Sequence, residues 1–356
     1  MRIWLGTWNV EQMFPTNAQV MALLDHSNGS GFAWDSCDVI ALGFQEASRG
    51  KAAPPIPGFT VSDIVTAKGQ TKGSSNCQYL FLYIRDTSNT VWHIGQSQRV
   101  VKRSLKKKIK FWSEYGKGSA VQVISDVSNP RNPCTVAIAS AHLDSKSATK
   151  RARQVQDVLS AAQVASSSNR IDVAFLMGDL NYRLNKSGLL SRVTERVFLH
   201  YIADGRRSLY TEDSLNKSEL LGLYSGWVFP DPYEGLGNDL QMPTYKRIYS
   251  GSKGRIARQY ADAINGNTDA CSKCFSYKTD KNAIVKGGKR PGQYDFGWLD
   301  RIGYLTVSRN VTLRWCGSPH QLVLSDHSPI SSFERRIRLD QAVFLRMCSA
   351  ISIGAG

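Results

Sequence analysis

The sequence predicts an α/β fold, and three observations carry that expectation. Short runs rich in Val, Ile, Leu and aromatic residues recur along the chain at strand length. Stretches with apolar residues at helical spacing lie between them. Polar residues able to do chemistry stand where the apolar runs end, the place where the loops of an open α/β sheet meet.

Taken in order, residues 3–10, 38–44, 79–85, 121–125, 135–142, 173–177 and 303–307 read as buried strands. Val20, Leu23 and Leu24 mark a helix after the first. Val155, Val158, Leu159 and Ala162 mark a second helix, and Leu190, Val193 and Val197 a third. Strands alternating with helices argue for α/β. Residues 50–58 form a Pro/Gly loop and 68–76 a polar one. Residues 247–292, rich in Gly, Lys, Asn and Asp, read as a long loop or insertion with one helix near 255–264. No internal repeat is present.

At 356 residues the chain can bury a large core, as two domains or as one large one. With 42% hydrophobic and 21% charged residues it belongs among globular chains rather than disordered ones. Lys plus Arg is 45 against 29 for Asp plus Glu, so the formal net charge of +16 favours an anionic partner: nucleic acid, an acidic membrane or a phosphorylated small molecule. The 7 cysteines are scattered and odd in number, and residues 3–10 already read as a strand that a cleaved leader would remove. The expectation is a reducing, cytoplasmic setting. Cys271 and Cys274 form a lone C-x-x-C without the second pair that zinc wants. No apolar run reaches the roughly 20 residues of a membrane span. The tail at 342–353 is apolar but carries Arg346, as a surface strand or helix would.

The first strand ends in Thr7-Trp8-Asn9-Val10, the second in Gln45-Glu46, the fifth in Ala141-His142-Leu143 and the sixth in Gly178-Asp179-Leu180-Asn181. Trp298-Leu299-Asp300-Arg301 and Ser325-Asp326-His327 follow near the C-terminus. Glu, Asp and Asn are hard oxygen ligands suited to Mg²⁺. A His partnered by an Asp can be held in one tautomer and stabilised as imidazolium. No Gly-x-Ser-x-Gly elbow is present, so water is a better nucleophile than Ser. Together these describe phosphoester hydrolysis. Singly each is weak: Glu46 alone reads as a solvated carboxylate, His142 as a structural histidine and Asp326-His327 as a turn.

The chain resembles the inositol polyphosphate 5-phosphatases of the endonuclease/exonuclease/phosphatase superfamily. The matching segments are those above together with Gly116-Lys117-Gly118-Ser119, Pro243-Thr244-Tyr245-Lys246 and Ser328-Pro329, and they run from residue 7 to 329. Gln-Glu, Gly-Asp-Leu-Asn and Ser-Asp-His are shared across the superfamily. Asn181-Tyr182-Arg183, the Pro-Thr-Tyr-Lys segment and Trp298-x-Asp300-Arg301 are closer to the phosphoinositide branch. The resemblance implies a four-layer α/β sandwich, two facing mixed sheets with helices outside, as in DNase I-like folds. It implies one catalytic domain over residues 1–335 and a tail over 336–356.

It also implies roles. Glu46 with Asn9 would hold Mg²⁺, and Asp326 would support the metal or His327. Asp179 would orient and deprotonate the attacking water, with Asn181 beside it. His327, held by Asp300, would contact the scissile phosphate, and His142 would bind a phosphate oxygen. Tyr245 and Lys246 would grip the neighbouring ring phosphate, Lys117 another, and Lys289 and Arg290 supply the basic segment before Trp298. The sequence departs from the family at Lys146, where a second His is common, and at Leu299, where Cys is usual. The implied substrates are inositol polyphosphates or phosphoinositides, with no nucleic acid. The alternatives are a Mg²⁺-dependent nuclease of the same superfamily, favoured by the charge, and a non-catalytic phosphoinositide-binding module.

Residues 102–110 carry Lys102, Arg103, Lys106, Lys107, Lys108 and Lys110 with no acid. They read either as a solvated strand or loop face or as a contact with anionic lipid, with Leu105, Ile109, Phe111 and Trp112 at the interface.

Overall fold

The computed structural model describes residues 1–68 (apart from 12 and 28–32), 77–101 (apart from 88, 89 and 96), 117–182 (apart from 146 and 167–169), 226–229, and 299–339 (apart from 308, 311, 312, 319–326, 328, 336 and 337). In chain order the elements are β1 (Arg2–Asn9), α1 (Asn17–Asp25), β2 (Val39–Ala47), β3 (Phe59–Lys68), β4 (Cys77–Arg85), β5 (Trp92–Ile94), β6 (Gln98–Val101), β7 (Gly118–Asp126), β8 (Cys134–His142), α2 (Ala148–Ala165), β9 (Val173–Asp179), β10 (Trp227–Val228), β11 (Asp300–Thr306), β12 (Arg309–Asn310), β13 (Leu313–Gly317), β14 (Ile330–Arg335) and β15 (Arg338–Leu339). Each of the seven sequence-predicted strands coincides with a strand, with 3–10, 38–44 and 303–307 each overrunning by one residue at Val10, Asp38 and Val307, and the first two predicted helices are α1 and α2. The third helix, the 247–292 insertion and most of the 336–356 tail lie outside the described residues.

Two mixed sheets face each other. One runs β13-β14-β1-β2-β4-β3, the other β10-β11-β9-β8-β7-β5 with β6 also paired to β7. Each holds one parallel pair, β1 with β2 and β8 with β9, among antiparallel neighbours. The period-2 alternation of each strand sorts its side chains into layers. On β1, Ile3 and Leu5 point into the core between the sheets, where they meet Val136, Ile138, Phe175 and Met177. Trp4 and Trp8 point the other way, onto Val20, Leu23 and Leu24 of α1. On β8 the outward residues are Ala137, Ala139 and Ala141, and Val155, Val158 and Ala162 of α2 pack over them. The result is helix, sheet, sheet, helix. The chain therefore has the four-layer DNase I-like architecture. A side chain larger than Ala at 139 would overpack this seam, at a cost of roughly 1–3 kcal/mol.

Caps fix the helix starts. Thr16 Oγ1 accepts the Gln19 N–H and Gln19 Oε1 accepts the Thr16 N–H, a reciprocal box before α1. Ser147 Oγ accepts the Lys150 N–H before α2. Among the described residues, strands β3, β13 and β14 and the short β5, β6, β10, β12 and β15 are present beyond the sequence expectation, with β3 and β13 at the edges of the first sheet. β3 lies at the edge of its sheet, carries a bulge near Val61–Asp63 and leaves Val61 and Ile64 exposed. Ser62 and Asp63 interrupt its apolar run, which is why it does not read as a buried strand.

Candidate active site

The sheet register lines up the chemistry. His142 pairs with Asp179 across β8 and β9, Asp179 with Asp300 across β9 and β11, and Gly118 with His142 across β7 and β8. One row of the second sheet thus carries His142, Asp179 and Asp300, with Lys117 one residue before its end. In the facing sheet Asn9 pairs with Gln45 at the ends of β1 and β2. The two rows meet where Asn9 Nδ2 donates to Asp179 Oδ2 at 3.0 Å. Below them Gln45 Nε2 donates to Thr7 Oγ1 on its own sheet (2.9 Å) and to Ser140 Oγ on the other (3.0 Å), all buried. Glycine is obligatory at 178: φ is +136° and a Cβ there would lie 1.9 Å from the Ala141 carbonyl oxygen.

Asp179 is only 2% exposed. Its Oδ1 accepts the Asn181 N–H at 3.1 Å. Its Oδ2 faces His142 Nε2 at 3.2 Å and His327 Nε2 at 3.9 Å. Burial alone would raise this carboxyl; the charge and hydrogen bond of His142, then the charges of His327 and Lys117, outweigh it and hold Asp179 well below the usual carboxylate range. His327 Nδ1–H donates to Asp300 Oδ2 at 2.7 Å, and the acceptor carboxylate fixes the proton on Nδ1. Its backbone is held as well, since the buried Trp8 Nε1–H donates to the His327 carbonyl at 3.1 Å. Asn181 is anchored by its Nδ2 to the Leu143 carbonyl at 3.0 Å. Lys117 Nζ contacts His142 Nε2.

These groups open on a cavity of about 260 Å³ lined by Asn9, Glu46, His142, Asp179, Asn181 and His327, with Lys117 beside them. Glu11 and Ser145 also line it, and no sequence motif marks either of them. Among the described residues, three non-glycines have positive φ: Glu11 (46°), Glu46 (53°) and Asn181 (57°). All three line this cavity. Such backbone costs roughly 1–3 kcal/mol per residue and persists only where the surroundings over-determine it. Glu46 sits in a β-bulge, where β2 slips against β4 between Phe44 and Ala47, and bulges re-aim a side chain. Glu11 has the backbone signature of a local cap instead: its N–H donates to Asn9 Oδ1 at 3.2 Å.

Among the described residues no cluster of three or more His, Cys, Asp or Glu forms a ligand cage. A hydrated Mg²⁺ does not need one, because it keeps several waters and takes only one or two carboxylates plus substrate oxygens. The Glu46 carboxylate at the cavity, with the Asn9 amide oxygen beside it, is a donor set of that kind. Asp326, Tyr245, Lys246, Lys289, Arg290 and the basic run at 102–110 lie outside the described residues. The four described cysteines, Cys37, Cys77, Cys134 and Cys316, are buried.

The sequence profile of endonuclease/exonuclease/phosphatase family 2 matches residues 6–264. The chain belongs to that family. It is accordingly a hydrolase of the endonuclease/exonuclease/phosphatase class. No curated protein matches it in sequence. Among solved structures it is similar to the inositol polyphosphate 5-phosphatase domain of SPsynaptojanin, in complex with inositol (1,4)-bisphosphate and calcium ion, at 16% identity and a TM-score of 0.57 over 100% of this chain and 93% of that one. It is also similar to a Cimex nitrophorin variant in its ferrous NO complex, at 12% identity and a TM-score of 0.53 over 95% and 98% of the two chains. At such identities likeness speaks to fold, and a fold hosts more than one function. The choice of function within the family belongs to the residues of the site.

Proposed function

We propose that this family member is a Mg²⁺-dependent phosphomonoester hydrolase that removes the 5-phosphate from inositol polyphosphates or phosphoinositides by attack of water. The observation that carries the hydrolytic part is the convergence on Asp179 Oδ2 of Asn9, His142 and His327, the last backed by Asp300. A carboxylate held ionised by surrounding donors is suited to accept a hydrogen bond from water and fix its line of attack. The His327 imidazolium, stabilised by Asp300, suits a phosphate oxygen whose charge grows in the transition state. Glu46 and Asn9, with Asp326 in support, would hold Mg²⁺, which when bound neutralises phosphate charge. Asn181 keeps the Asp179 carboxylate in place through its backbone N–H.

The inositol part rests on Asn181-Tyr182-Arg183, Pro243-Thr244-Tyr245-Lys246 and Trp298-Leu299-Asp300-Arg301. The solved domain bound to inositol (1,4)-bisphosphate adds support. Tyr245 and Lys246 would grip the ring phosphate beside the scissile one, with Lys289 and Arg290 as further cations. The +16 charge favours a second reading, a nuclease on the same scaffold. The charge equally suits work at the anionic cytoplasmic face of a membrane, with residues 102–110 as the contact.

A panel of soluble inositol phosphates, phosphoinositide vesicles and a nucleic acid strand separates these readings. Phosphate release from the inositol compounds, with Lys246→Ala losing selectivity for those bearing an adjacent phosphate, supports the phosphatase. Strand cleavage without phosphate release would replace it with the nuclease.

A further inference from the structure

Lys117 lies one residue before β7, at the end of the row that runs through Gly118, His142, Asp179 and Asp300. It is therefore carried to the site by the start of an interior strand, paired with β8 on one side and with β5 and β6 on the other. Its Nζ contacts His142 Nε2, the same nitrogen that stands 3.2 Å from Asp179 Oδ2 and 3.6 Å from Glu46 Oε1. The ammonium lines the cavity, and its charge is one of those that keep Asp179 ionised. In the strand order β11-β9-β8-β7, Asp300 and its partner His327 lie to one side of Asp179, while His142 and Lys117 lie to the other. A cation serving a remote ring substituent has no reason to stand against the imidazole beside the reacting carboxylate.

We propose that Lys117 is a catalytic cation, binding a non-bridging oxygen of the phosphate being cleaved across Asp179 from His327, rather than gripping another ring phosphate. The proposal rests on the phosphatase reading of this site. As the water oxygen bonds to phosphorus, its proton passes to Asp179, the bond to the ring oxygen breaks, and that oxygen leaves with its electron pair and is protonated from solvent. Lys117 gives and takes no proton in this sequence. It holds charge that builds on the equatorial oxygens as the phosphoryl group transfers.

Lys117→Met and Lys117→Arg test it, with far-ultraviolet circular dichroism confirming that both fold. Loss of a charge-assisted contact predicts that Lys117→Met lowers kcat/KM roughly 10- to 100-fold. The factor should be the same for an inositol polyphosphate, an inositol monophosphate and an aryl phosphate. Calorimetric titration with inorganic phosphate should show a matching loss of affinity, and Lys117→Arg should recover part of both. A loss confined to substrates with extra phosphates, with inorganic phosphate bound as in the unmodified protein, would overturn the proposal. The titration also separates this claim from the substrate assignment. If no inositol phosphate is cleaved but phosphate binding still depends on Lys117, the substrate reading fails and the role of Lys117 stands.

Discussion

His327 and Asp300 are joined by a 2.7 Å hydrogen bond from Nδ1 to Oδ2, and Asp300 is itself fully buried in the strand next to Asp179. The carboxylate both orients the ring and stabilises its charged form. Asp300→Asn keeps the size but reverses or weakens that bond. The fold should survive, with an unchanged circular dichroism spectrum, while kcat falls by about 10²-fold or more, in the manner of triad carboxylates. A near-normal rate would mean that another group orients His327.

Glu46 is the second test. Its backbone is strained at φ 53° inside the bulge, and that strain is tolerated where it aims a carboxylate into the cavity. Glu46→Gln should cut turnover by about 10²-fold or more while retaining the fold, because it removes the negative charge with which Glu46 would hold a divalent cation. Chelation with EDTA should abolish activity in the unmodified protein and added Mg²⁺ should restore it. Full activity in chelator would exclude the metal-assisted account.

Asp179 links the site to pH. Its folded-state pKa is lowered, so the folded protein binds this proton more weakly than the unfolded chain does. The stability it contributes is fully present above the ordinary carboxylate pKa, about 4. It is lost as pH falls from there toward the depressed folded value. In EDTA, urea melts between pH 5 and pH 3 should therefore show a shallower acid loss for Asp179→Asn than for the unmodified protein. Parallel curves would place the acid sensitivity on other carboxylates.

The basic run gives a fourth expectation. Replacing Lys106, Lys107 and Lys108 with Glu should weaken activity on anionic vesicles, more so at low salt, since such attraction fades over a Debye length of about 8 Å at physiological ionic strength. Activity on a soluble inositol phosphate should change little. A joint fall would make the run part of the site or the fold, and no change would make it a solvated face.

Much of this arrangement was legible in the sequence for a physical reason. Buried parallel and central strands, such as Val173–Asp179, are uniformly apolar, so a sudden Asp or His marks the strand end where a loop opens. Asn9, His142, Asp179 and Asp300 were all readable in that way, and the register brings them into facing rows. The bulge at Glu46 was not readable. Gly43-Phe44-Gln45-Glu46-Ala47 has no glycine at the left-handed position, so nothing local announces it, and the surrounding sheet imposes it. Glu11 escaped notice for the same reason, since its placement depends on the turn of its N–H back to Asn9 Oδ1. Lys117 stands in a Gly-Lys-Gly segment that gives no direction. Its position beside His142 follows only from the β7–β8 pairing. The edge strand β3 was missed because polar residues interleave a surface-facing strand.

The most direct measurement is phosphate release from a soluble inositol polyphosphate bearing a 5-phosphate, with Mg²⁺ present and Asp179→Asn as the paired control. The account predicts that the unmodified protein removes the 5-phosphate and leaves the other ring phosphates in place, and that Asp179→Asn loses the activity while keeping its fold. Release that persists in Asp179→Asn, or cleavage of a nucleic acid strand with every inositol phosphate left intact, would contradict it.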